Sequence, residues 1–553
     1  MFERIRGILR PPIKLVQPQD NTIRIERNVE VRVRDGIKLH VNVFRPPEDG
    51  GRRFPVILFA HPYGKDNFPR RSLGINRLPI QYRVLRQKGP IVFSTFTTWE
   101  APDPVRWAEK GYAVVNADLR GCGTSEGIGA ILSDQEGEDV FDLIEWAAHQ
   151  PWSTGKVGMN GVSYLALSQY KAASLRPPNL RAICAWEGFT DAYRDFAYQG
   201  GIREDGFVRM WSRQLKKNRL TFDIREFSST HPLRDGAWES LVPKLTSIEV
   251  PLLVCGSFSD HCLHSGGSFR AFSEAGSSYR ELYTHRGCKW ETFYSEEAFA
   301  AQLSFFDRFL KTDAKIIPVT KIRLEVRSQR DTIAEVREES AWPLERTVWT
   351  PLYLAPRGEL STLAPSVKGH LTFQARSEGA RFSWRVPQNV ELTGPMAAHL
   401  WIELEDSTDV DLFVGVELWR NGRYVTFEGS YGYGRDRVTT GWLKASLREL
   451  DEVRSKAWAP VHTFMRSQSL QPGEIAAMDI ALNPSATLFL KGDELRLVAA
   501  GRYLSPTGLL TGQFPAAYPG QPKGRCTLHW SPEQPGHLLV PVMPALMKKE
   551  PQR

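Results

Sequence analysis

The 553-residue sequence lacks the features that mark several other protein classes. Its six cysteines form no Cys-x-x-Cys pair, and its histidines show no metal-ligand spacing, so we expect free thiols and no metal site. No apolar run reaches the roughly 20 residues that a membrane helix needs, and the N-terminal segment has no apolar signal core. No phosphate loop or dinucleotide fingerprint is convincing, and no cofactor is predicted. These absences favour a cytoplasmic protein without a membrane association.

Charge and composition give little indication of a macromolecular partner. The net charge of +8 is spread along the chain, and 41% hydrophobic and 24% charged residues are ordinary for a soluble protein. Only Arg4, Arg6, Arg10 and Lys14 form a locally basic segment, which we interpret as a solvated arm rather than a nucleic-acid or membrane site. The length predicts two or three domains, whereas the oligomeric state stays open.

Strand and helix patterns alternate through the first 315 residues. Residues 29–44 alternate apolar and polar positions around Asp35-Gly36, which predicts a β-hairpin. Continuous apolar runs predict strands buried on both faces at 55–60, 112–117, 156–160, 180–186, 251–256 and 281–284. Helical patterns at 136–149 and 295–311 complete the alternation. The pattern predicts a doubly wound, mostly parallel α/β sheet.

Two further regions break this alternation. Residues 192–248 contain aromatic and charged helical stretches without a buried strand, which predicts a helical cap inserted between core strands. After about residue 315, short strands recur between turns, as in an all-β sandwich or jelly roll. The predicted units are an N-terminal arm at 1–28, a catalytic core at 29–191 and 249–315, a cap at 192–248, and a β-domain at 316–553.

Ser163 is the predicted nucleophile. A short strand pattern ends at Gly161 and a helical pattern begins at Tyr164, so Ser163 sits on a sharp strand-to-helix turn. A competing stretch, 123–127, fits the Gly-x-Ser-x-Gly pattern at Ser125 without fault. A loop precedes Ser125 and a glycine-rich segment that is poor helix material follows it. The strand-to-helix context therefore favours Ser163 over Ser125.

Two downstream loops supply candidate partners, because a serine hydroxyl needs a base and an acid to become a nucleophile. Asp260 follows the 251–256 strand and is the predicted acid. His285 follows the last core strand and is the predicted base. His261 and His264 compete with it, but they share the loop of the acid, so we expect them to line a pocket instead.

Two groups are predicted to bind the oxyanion. One is the backbone N–H of Tyr164, the residue after the nucleophile. The other comes from the loop after the 55–60 strand, where the Tyr63 hydroxyl or a backbone N–H could serve.

Several of these segments resemble the cocaine esterase and X-prolyl dipeptidyl-peptidase family of serine hydrolases. The matching pieces are 61–65, 118–127, 161–164, the Asp260 loop, 305–311 and 441–446. The resemblance implies an α/β-hydrolase core, a helical cap and a C-terminal jelly roll. It also implies Ser163 as nucleophile, Asp260 as acid, Tyr63 as a side-chain oxyanion donor and a structural role for the Ser125 loop.

The sequence departs from the family pattern at three places. Leu165 stands where the Gly-x-Ser-x-Gly pattern around the nucleophile has its second glycine, so we expect the helix to pack slightly further from the strand. The family's histidine loop reads Gly-Pro-Trp-x-His, whereas the corresponding loop here begins at Tyr283 and carries His285. Related α-amino acid ester hydrolases place carboxylates after the acid to bind a substrate ammonium, whereas His261-Cys262-Leu263 follows Asp260 here.

The predicted function is hydrolysis of a carboxylic ester or small amide through an acyl-enzyme on Ser163. The predicted partner is therefore a small-molecule ester or amide, or a short peptide. An X-prolyl dipeptidyl-peptidase would need an acidic pocket for the substrate's N-terminus, for which Glu187, Asp191, Glu204 and Asp205 are candidates. The sequence also admits an acyltransferase that uses the same triad, and a non-catalytic binding protein.

Overall fold

The computed structural model describes residues 11–19, 22–47, 50–72, 75–79, 82–83, 85–312, 315–505, 514–520 and 524–544. Residues 1–10 of the predicted N-terminal arm, including Arg4, Arg6 and Arg10, lie outside the described residues. The described part of the arm contains strand Ile13–Val16, which pairs in parallel with Ile91–Ser94. The first residues of the described chain are thus attached to the core by a two-stranded sheet.

Ten strands of the described chain form one large sheet, and the seven from the third to the ninth run parallel to one another. The outer strands are antiparallel. In spatial order they are Arg24–Arg32, Lys38–Arg45, Ala113–Asp118, Phe54–His61, Ser153–Val162, Leu180–Trp186, Leu252–Ser257, Tyr279–His285, Val319–Gln329 and Thr332–Glu339. The central strands are buried on both faces, as their continuous apolar runs predict. The predicted α/β-hydrolase sheet is confirmed.

Helices accompany this sheet. They are Pro104–Glu109, Asp134–Ala148, Tyr164–Ser174, Ser265–Glu274, Lys289–Phe293 and Glu296–Phe306, the last continuing as a π-turn, Asp307–Lys311. In helix Asp134–Ala148, Ser133 caps the N-terminus by accepting a hydrogen bond from the Glu136 N–H. Its apolar face is fully buried through Val140, Leu143 and Ile144. Amphipathic helices of this kind cover the apolar strands and exclude water from the core.

The region predicted as a cap is mainly helical. It contains a π-helix at Ala192–Ala197, the paired strands Tyr198–Gln199 and Ile202–Arg203, helices Gly206–Leu215, Ile224–Thr230 and Gly236–Glu239, and a 3₁₀ turn at Leu245–Ser247. A separate short hairpin pairs Arg70–Ser72 with Ile75–Arg77. The cap brings aromatic side chains, including Phe207 and Trp211, over the carboxyl end of the parallel strands.

The C-terminal region is an antiparallel sandwich. One sheet centres on Val390–Leu404, which pairs with Ile475–Phe489 on one side and His537–Met543 on the other. The other centres on Asp411–Arg420, between Thr439–Lys444 and Glu494–Ala500. The remaining strands are Val348–Ala355, Glu359–Ser361, Gly369–Gln374, Ala380–Arg385, Arg423–Val425 and Arg525–Trp530, with 3₁₀ turns at Pro356–Gly358 and Ala445–Leu447. This arrangement matches the predicted all-β domain.

One strand connects the large ten-stranded sheet with the C-terminal sandwich, although the sequence pattern placed that strand wholly in the β-domain. Val319–Gln329 pairs in parallel with Tyr279–His285 and, at Arg327, contacts Thr487 of the sandwich. The predicted boundary at 315/316 therefore precedes two strands that extend the first sheet. Because those strands form a hairpin with the same period-two pattern as the sandwich strands, the sequence alone could not separate them.

The other sequence expectations concern thiols and membrane spans. All six cysteines are free and five of them are buried, as predicted. Within the described chain, every helix is too short or too polar to cross a bilayer.

Candidate active site

Ser163 lies on the strained turn that the sequence predicts. It follows strand Ser153–Val162, precedes helix Tyr164–Ser174, and has φ 59° and ψ −114°. Such a backbone conformation costs a non-glycine residue about 1–3 kcal/mol and persists only where neighbouring contacts enforce it. Here the Ser163 N–H donates to the Trp186 carbonyl at 3.0 Å. The turn presents the hydroxyl group at the carboxyl end of the sheet.

Two glycines make room for the helix behind the turn. A Cβ atom at Gly161 would lie 2.4 Å from the Cβ of Leu165, and one at Gly188 would lie 2.6 Å from the Cβ of Ala166. Leu165, which stands where the motif has its second glycine, is itself fully buried. The Leu165 side chain therefore fits because Gly161, on the preceding strand, has no side chain.

The histidine beside Ser163 is His264. The Ser163 Oγ and His264 Nε2 atoms are 3.0 Å apart, and His264 Nδ1 forms a short hydrogen bond with Asp260 Oδ2. Asp260 Oδ1 also accepts a hydrogen bond of 2.6 Å from the Ser430 hydroxyl, on a loop of the sandwich. Serine, histidine and carboxylate are thus connected in the order that activates a nucleophile.

His285, the base predicted from the sequence, does not reach Ser163. Its Nε2 atom lies 3.0 Å from Glu187 Oε1, and its Nδ1 atom accepts the Gly287 N–H at 3.1 Å. Both ring nitrogens are therefore engaged, and the ring is 2% exposed. The prediction is corrected on this geometry: His285 orients Glu187, and His264 takes the position beside the nucleophile.

A tight turn brings His264 and Asp260 together. The Asp260 carbonyl accepts the N–H groups of Leu263, His264 and Ser265 at 3.4, 3.2 and 3.0 Å, and helix Ser265–Glu274 begins directly afterwards. The i,i+4 spacing then places the two side chains on one side of the turn. The His264 ring packs against Phe189, with centroids 6.4 Å apart. Two sequence features could have indicated His264: its position four residues after Asp260, and the absence of the family's histidine motif after strand Tyr279–His285.

Lys289 is an unexpected member of the site. Its Nζ atom lies 2.8 Å from Asp260 Oδ2, 3.3 Å from Glu187 Oε2 and 3.0 Å from His264 Nδ1. These two carboxylates and His264 are close enough together to hold a metal ion, and the lysine ammonium lies among them. The neighbouring carboxylates raise the pKa of Lys289, so this buried cation stays charged.

Burial and Lys289 together set the charges of the triad. Burial, and then the positive charge of Lys289, lower the pKa of His264, although Asp260 opposes them. Lys289 and His264 hold the pKa of Asp260 far below its usual range against the effect of burial. His264 is consequently neutral at pH 7, as a general base must be, and Asp260 is ionised.

The two predicted oxyanion donors face the same small space, and a carboxyl group lies in it. The Tyr164 N–H donates to Glu100 Oε2 at 3.2 Å. Burial raises the pKa of Glu100, and the neighbouring side chains of Ser163 and Tyr63 partly oppose this. Tyr63 is 4% exposed, and its hydroxyl oxygen accepts the Trp211 indole N–H at 3.3 Å. Glu100 had no sequence signal, since it lies outside every motif.

Ser125 makes only structural hydrogen bonds. Its hydroxyl donates to the Asp118 carbonyl at 2.8 Å and accepts the His40 N–H at 2.9 Å. The side chain is fully buried. The serine with the complete motif therefore stabilises a loop, whereas the serine with the incomplete motif faces a cavity.

That cavity has a volume of about 620 Å³ and lies between the core, the cap and the sandwich. Aromatic side chains dominate its wall: Tyr63, Trp99, Tyr164, Phe189, Phe196, Phe207, Trp211, Trp290, Tyr431 and Phe514. Among the described residues, Glu100 and Asp260 are the carboxylates that line it. The volume and apolar wall suit a small organic molecule.

The carboxylates predicted as candidates for a substrate ammonium have other partners. Glu187 pairs with His285 and Lys289. Asp191 accepts ion pairs from two arginines, Arg194 and Arg234. Glu204 accepts the N–H groups that begin helix Gly206–Leu215, and Asp205 pairs with Arg203. All four are therefore engaged in stabilising the protein, away from the cavity wall.

Comparisons with known proteins agree with this architecture. Residues 35–228 match the family model of X-Pro dipeptidyl-peptidases (S15 family), and residues 320–539 match that of the X-Pro dipeptidyl-peptidase C-terminal non-catalytic domain. The crystal structure of a CocE/NonD family hydrolase from Staphylococcus aureus is 34% identical, covers 97% of this chain and 100% of its own, and superposes with a TM-score of 0.88.

Two further relatives are more distant. Cocaine esterase from Rhodococcus sp. (strain MB1 Bresler) is 24% identical over 95% of this chain and 99% of its own. An α-amino acid ester hydrolase structure is 17% identical over 96% of this chain and 98% of its own, with a TM-score of 0.69, which is a likeness of fold alone.

Proposed function

Because this chain belongs to the CocE/NonD family of hydrolases, the group of cocaine esterase and the X-prolyl dipeptidyl-peptidases, we propose that it cleaves a carboxylic ester or small amide through an acyl-enzyme on Ser163. The observation that carries the proposal is the continuous hydrogen-bonded path from Ser163 through His264 to Asp260. A serine hydroxyl on a strained turn with a neutral histidine at 3.0 Å is arranged for attack on an acyl carbon.

The proposed acylation uses groups on the cavity wall. The Ser163 Oγ atom attacks the acyl carbon and its proton passes to His264 Nε2. The imidazolium then protonates the departing alcohol or amine, and Asp260 stabilises the transient positive charge. The acyl oxygen becomes negative and takes hydrogen bonds from the Tyr164 N–H and the Tyr63 hydroxyl. A water molecule, activated by His264 in the same way, releases the acid from Ser163.

The surroundings of the cavity support an ester or simple amide over an Xaa-Pro peptide. A dipeptidyl-peptidase holds the substrate's ammonium with acidic or amide groups, and the four predicted carboxylates are already paired. The wall is largely aromatic, which suits an apolar acyl or alcohol group. Comparing turnover of an Xaa-Pro p-nitroanilide with that of a short acyl p-nitrophenyl ester separates these activities; faster cleavage of the anilide would contradict the proposed substrate class.

A covalent label tests the nucleophile directly. We expect a fluorophosphonate probe to label wild-type protein stoichiometrically and S163A not at all. S125A is the matched control, because Ser125 has the complete motif but is buried in its loop. This variant should be labelled like wild type. A folded wild-type protein that stays unlabelled, or labelling that persists in S163A, would exclude the proposed acyl-enzyme.

A further inference from the structure

We propose that the Glu100 carboxyl group occupies the oxyanion position of the resting enzyme, so that acylation of Ser163 requires its side chain to swing into the substrate cavity. This inference rests on the function proposed above and concerns how that reaction is gated. In the reaction that the site supports, the Tyr164 N–H and the Tyr63 hydroxyl must bind the acyl oxygen. In the structure, the Tyr164 N–H donates to Glu100 Oε2 at 3.2 Å, and the Tyr63 side chain lies beside the same carboxyl group.

The backbone of Glu100 is fixed beside the nucleophile. Its φ angle is 65°, and its carbonyl accepts the Val162 N–H at 3.0 Å, one residue before Ser163. Neighbouring Trp99 packs edge-on against Trp290 and Tyr82, with centroids 4.6 and 4.7 Å apart. The loop therefore holds the Glu100 Cα in place, and only side-chain rotation can clear the oxyanion position.

The cavity provides room for that rotation. Glu100 lines the 620 Å³ space together with Ser163 and His264. A substrate carbonyl entering this space competes with the carboxyl group for the Tyr164 N–H and for the position beside the Tyr63 side chain. The exchange makes and breaks hydrogen bonds only, and the Glu100 proton, where present, stays on its oxygen. The energetic cost of displacement thus depends on how strongly the Tyr164 N–H and the surrounding groups hold the carboxyl group.

The protonation state of Glu100 sets that strength. Burial is the largest influence and raises the pKa of Glu100 to about 8. Four groups face the Glu100 carboxyl and lower its pKa: the Lys289 ammonium, the Tyr164 N–H and the hydroxyls of Ser163 and Tyr63. The hydroxyls of Tyr82 and Tyr294 are farther neighbours. Below pH 8 the group is mainly neutral. Above it the carboxylate holds the donors with charge-assisted hydrogen bonds, roughly twice as strong, and repels a developing oxyanion.

The test is a pH profile of kcat/KM for p-nitrophenyl acetate, corrected for spontaneous hydrolysis, on wild type, E100Q and E100A. For wild type we expect a fall of about 30-fold between pH 7 and 9.5, the loss of neutral carboxyl for a pKa of about 8. E100Q, which resembles the neutral acid at every pH, should show no such fall. E100A removes the occupant, and its kcat/KM should exceed that of wild type throughout.

Glu136 offers a matched control. It is also a buried carboxyl group with a pKa raised by burial, to about 7, but it accepts a hydrogen bond from the Tyr164 hydroxyl and not from the Tyr164 N–H. E136Q should therefore keep the alkaline fall. If E136Q abolishes the fall and E100Q keeps it, the gate is refuted.

Two other results would also overturn the gate. An alkaline fall in E100Q equal to that of wild type excludes Glu100 as its source. A loss of 100-fold or more in both E100Q and E100A would make Glu100 a participant in the reaction instead of an obstacle. Failure of the proposed function is recognised separately, because wild type would then neither hydrolyse the ester nor label at Ser163.

Discussion

Replacing each of the two buried histidines in turn tests whether His264, and not His285, activates Ser163. His264 and His285 are equally buried, and each lies next to a carboxylate, Asp260 and Glu187 respectively. They differ in one contact: His264 Nε2 lies 3.0 Å from the Ser163 hydroxyl, whereas His285 Nε2 is bonded to Glu187. H264A and H285Q therefore remove the same type of side chain with different consequences.

The expected magnitudes follow from those contacts. H264A removes the histidine that is hydrogen-bonded to the Ser163 hydroxyl. We therefore expect kcat/KM to fall by about 10⁴-fold, which corresponds to about 5.4 kcal/mol of transition-state stabilisation. In H285Q the glutamine amide can still donate to Glu187. We expect less than a tenfold change in kcat/KM and a loss of about 1–3 kcal/mol in the free energy of unfolding.

The assay combines ester hydrolysis with the rate of fluorophosphonate labelling, since both require removal of the Ser163 proton. H264A should lose both, and H285Q should keep both while its denaturation midpoint falls. A 10⁴-fold loss in H285Q, with H264A near wild type, would refute the assignment of His264 and restore the prediction made from the sequence.

Three more variants each test an individual contact. Y63F removes an oxyanion donor and should lower kcat by about 10²–10³-fold while the circular dichroism spectrum stays unchanged; a change below threefold would remove Tyr63 from the reaction. K289M leaves Asp260 and Glu187 buried without their shared cation, so chemical denaturation should show a loss of about 3–5 kcal/mol. In the same variant the pKa of His264 rises because a nearby positive charge is gone, and the acidic limb of kcat/KM should move to higher pH; an unmoved limb would contradict the role of Lys289. S430A removes a 2.6 Å hydrogen bond to Asp260, and we expect kcat/KM to fall by the equivalent of about 1.5–3 kcal/mol. Such a loss would show that the sandwich helps to position the triad. Unchanged kinetics would limit the sandwich to a structural role.

The sequence predicted the fold class, which is confirmed, and the proposed nucleophile, because both predictions depend on local patterns. Continuous apolar runs identified the central strands, and the strand-to-helix context chose Ser163 over Ser125 despite the better motif of Ser125. The acid was also accessible, since Asp260 directly follows a core strand. These inferences needed only the order of elements along the chain and the rule that active sites lie at the carboxyl end of parallel strands.

The proposed base, His264, could not be found by the same rule. His285 stands at the expected place in chain order, but its direction at the end of strand Tyr279–His285 leads to Glu187. His264 depends on a turn that wraps three N–H groups around one carbonyl, and such turns are not encoded by residue type. Glu100 and Lys289 were missed for a related reason, since each reaches the site from a loop or short helix with no recognisable motif.

Lys289 compensates the charges that surround His264. In the family pattern the base arrives from the loop after the last core strand, and here that loop supplies Lys289 while the acid's own loop supplies His264. Bringing acid and base from one turn leaves Asp260 close to a second buried carboxylate, Glu187, and two such charges without a counterion would be costly. Lys289 lies within 3.3 Å of both and lowers the pKa of His264. Lys289 and His264 therefore form one arrangement, in which a single cation compensates two buried carboxylates and keeps the neighbouring histidine neutral.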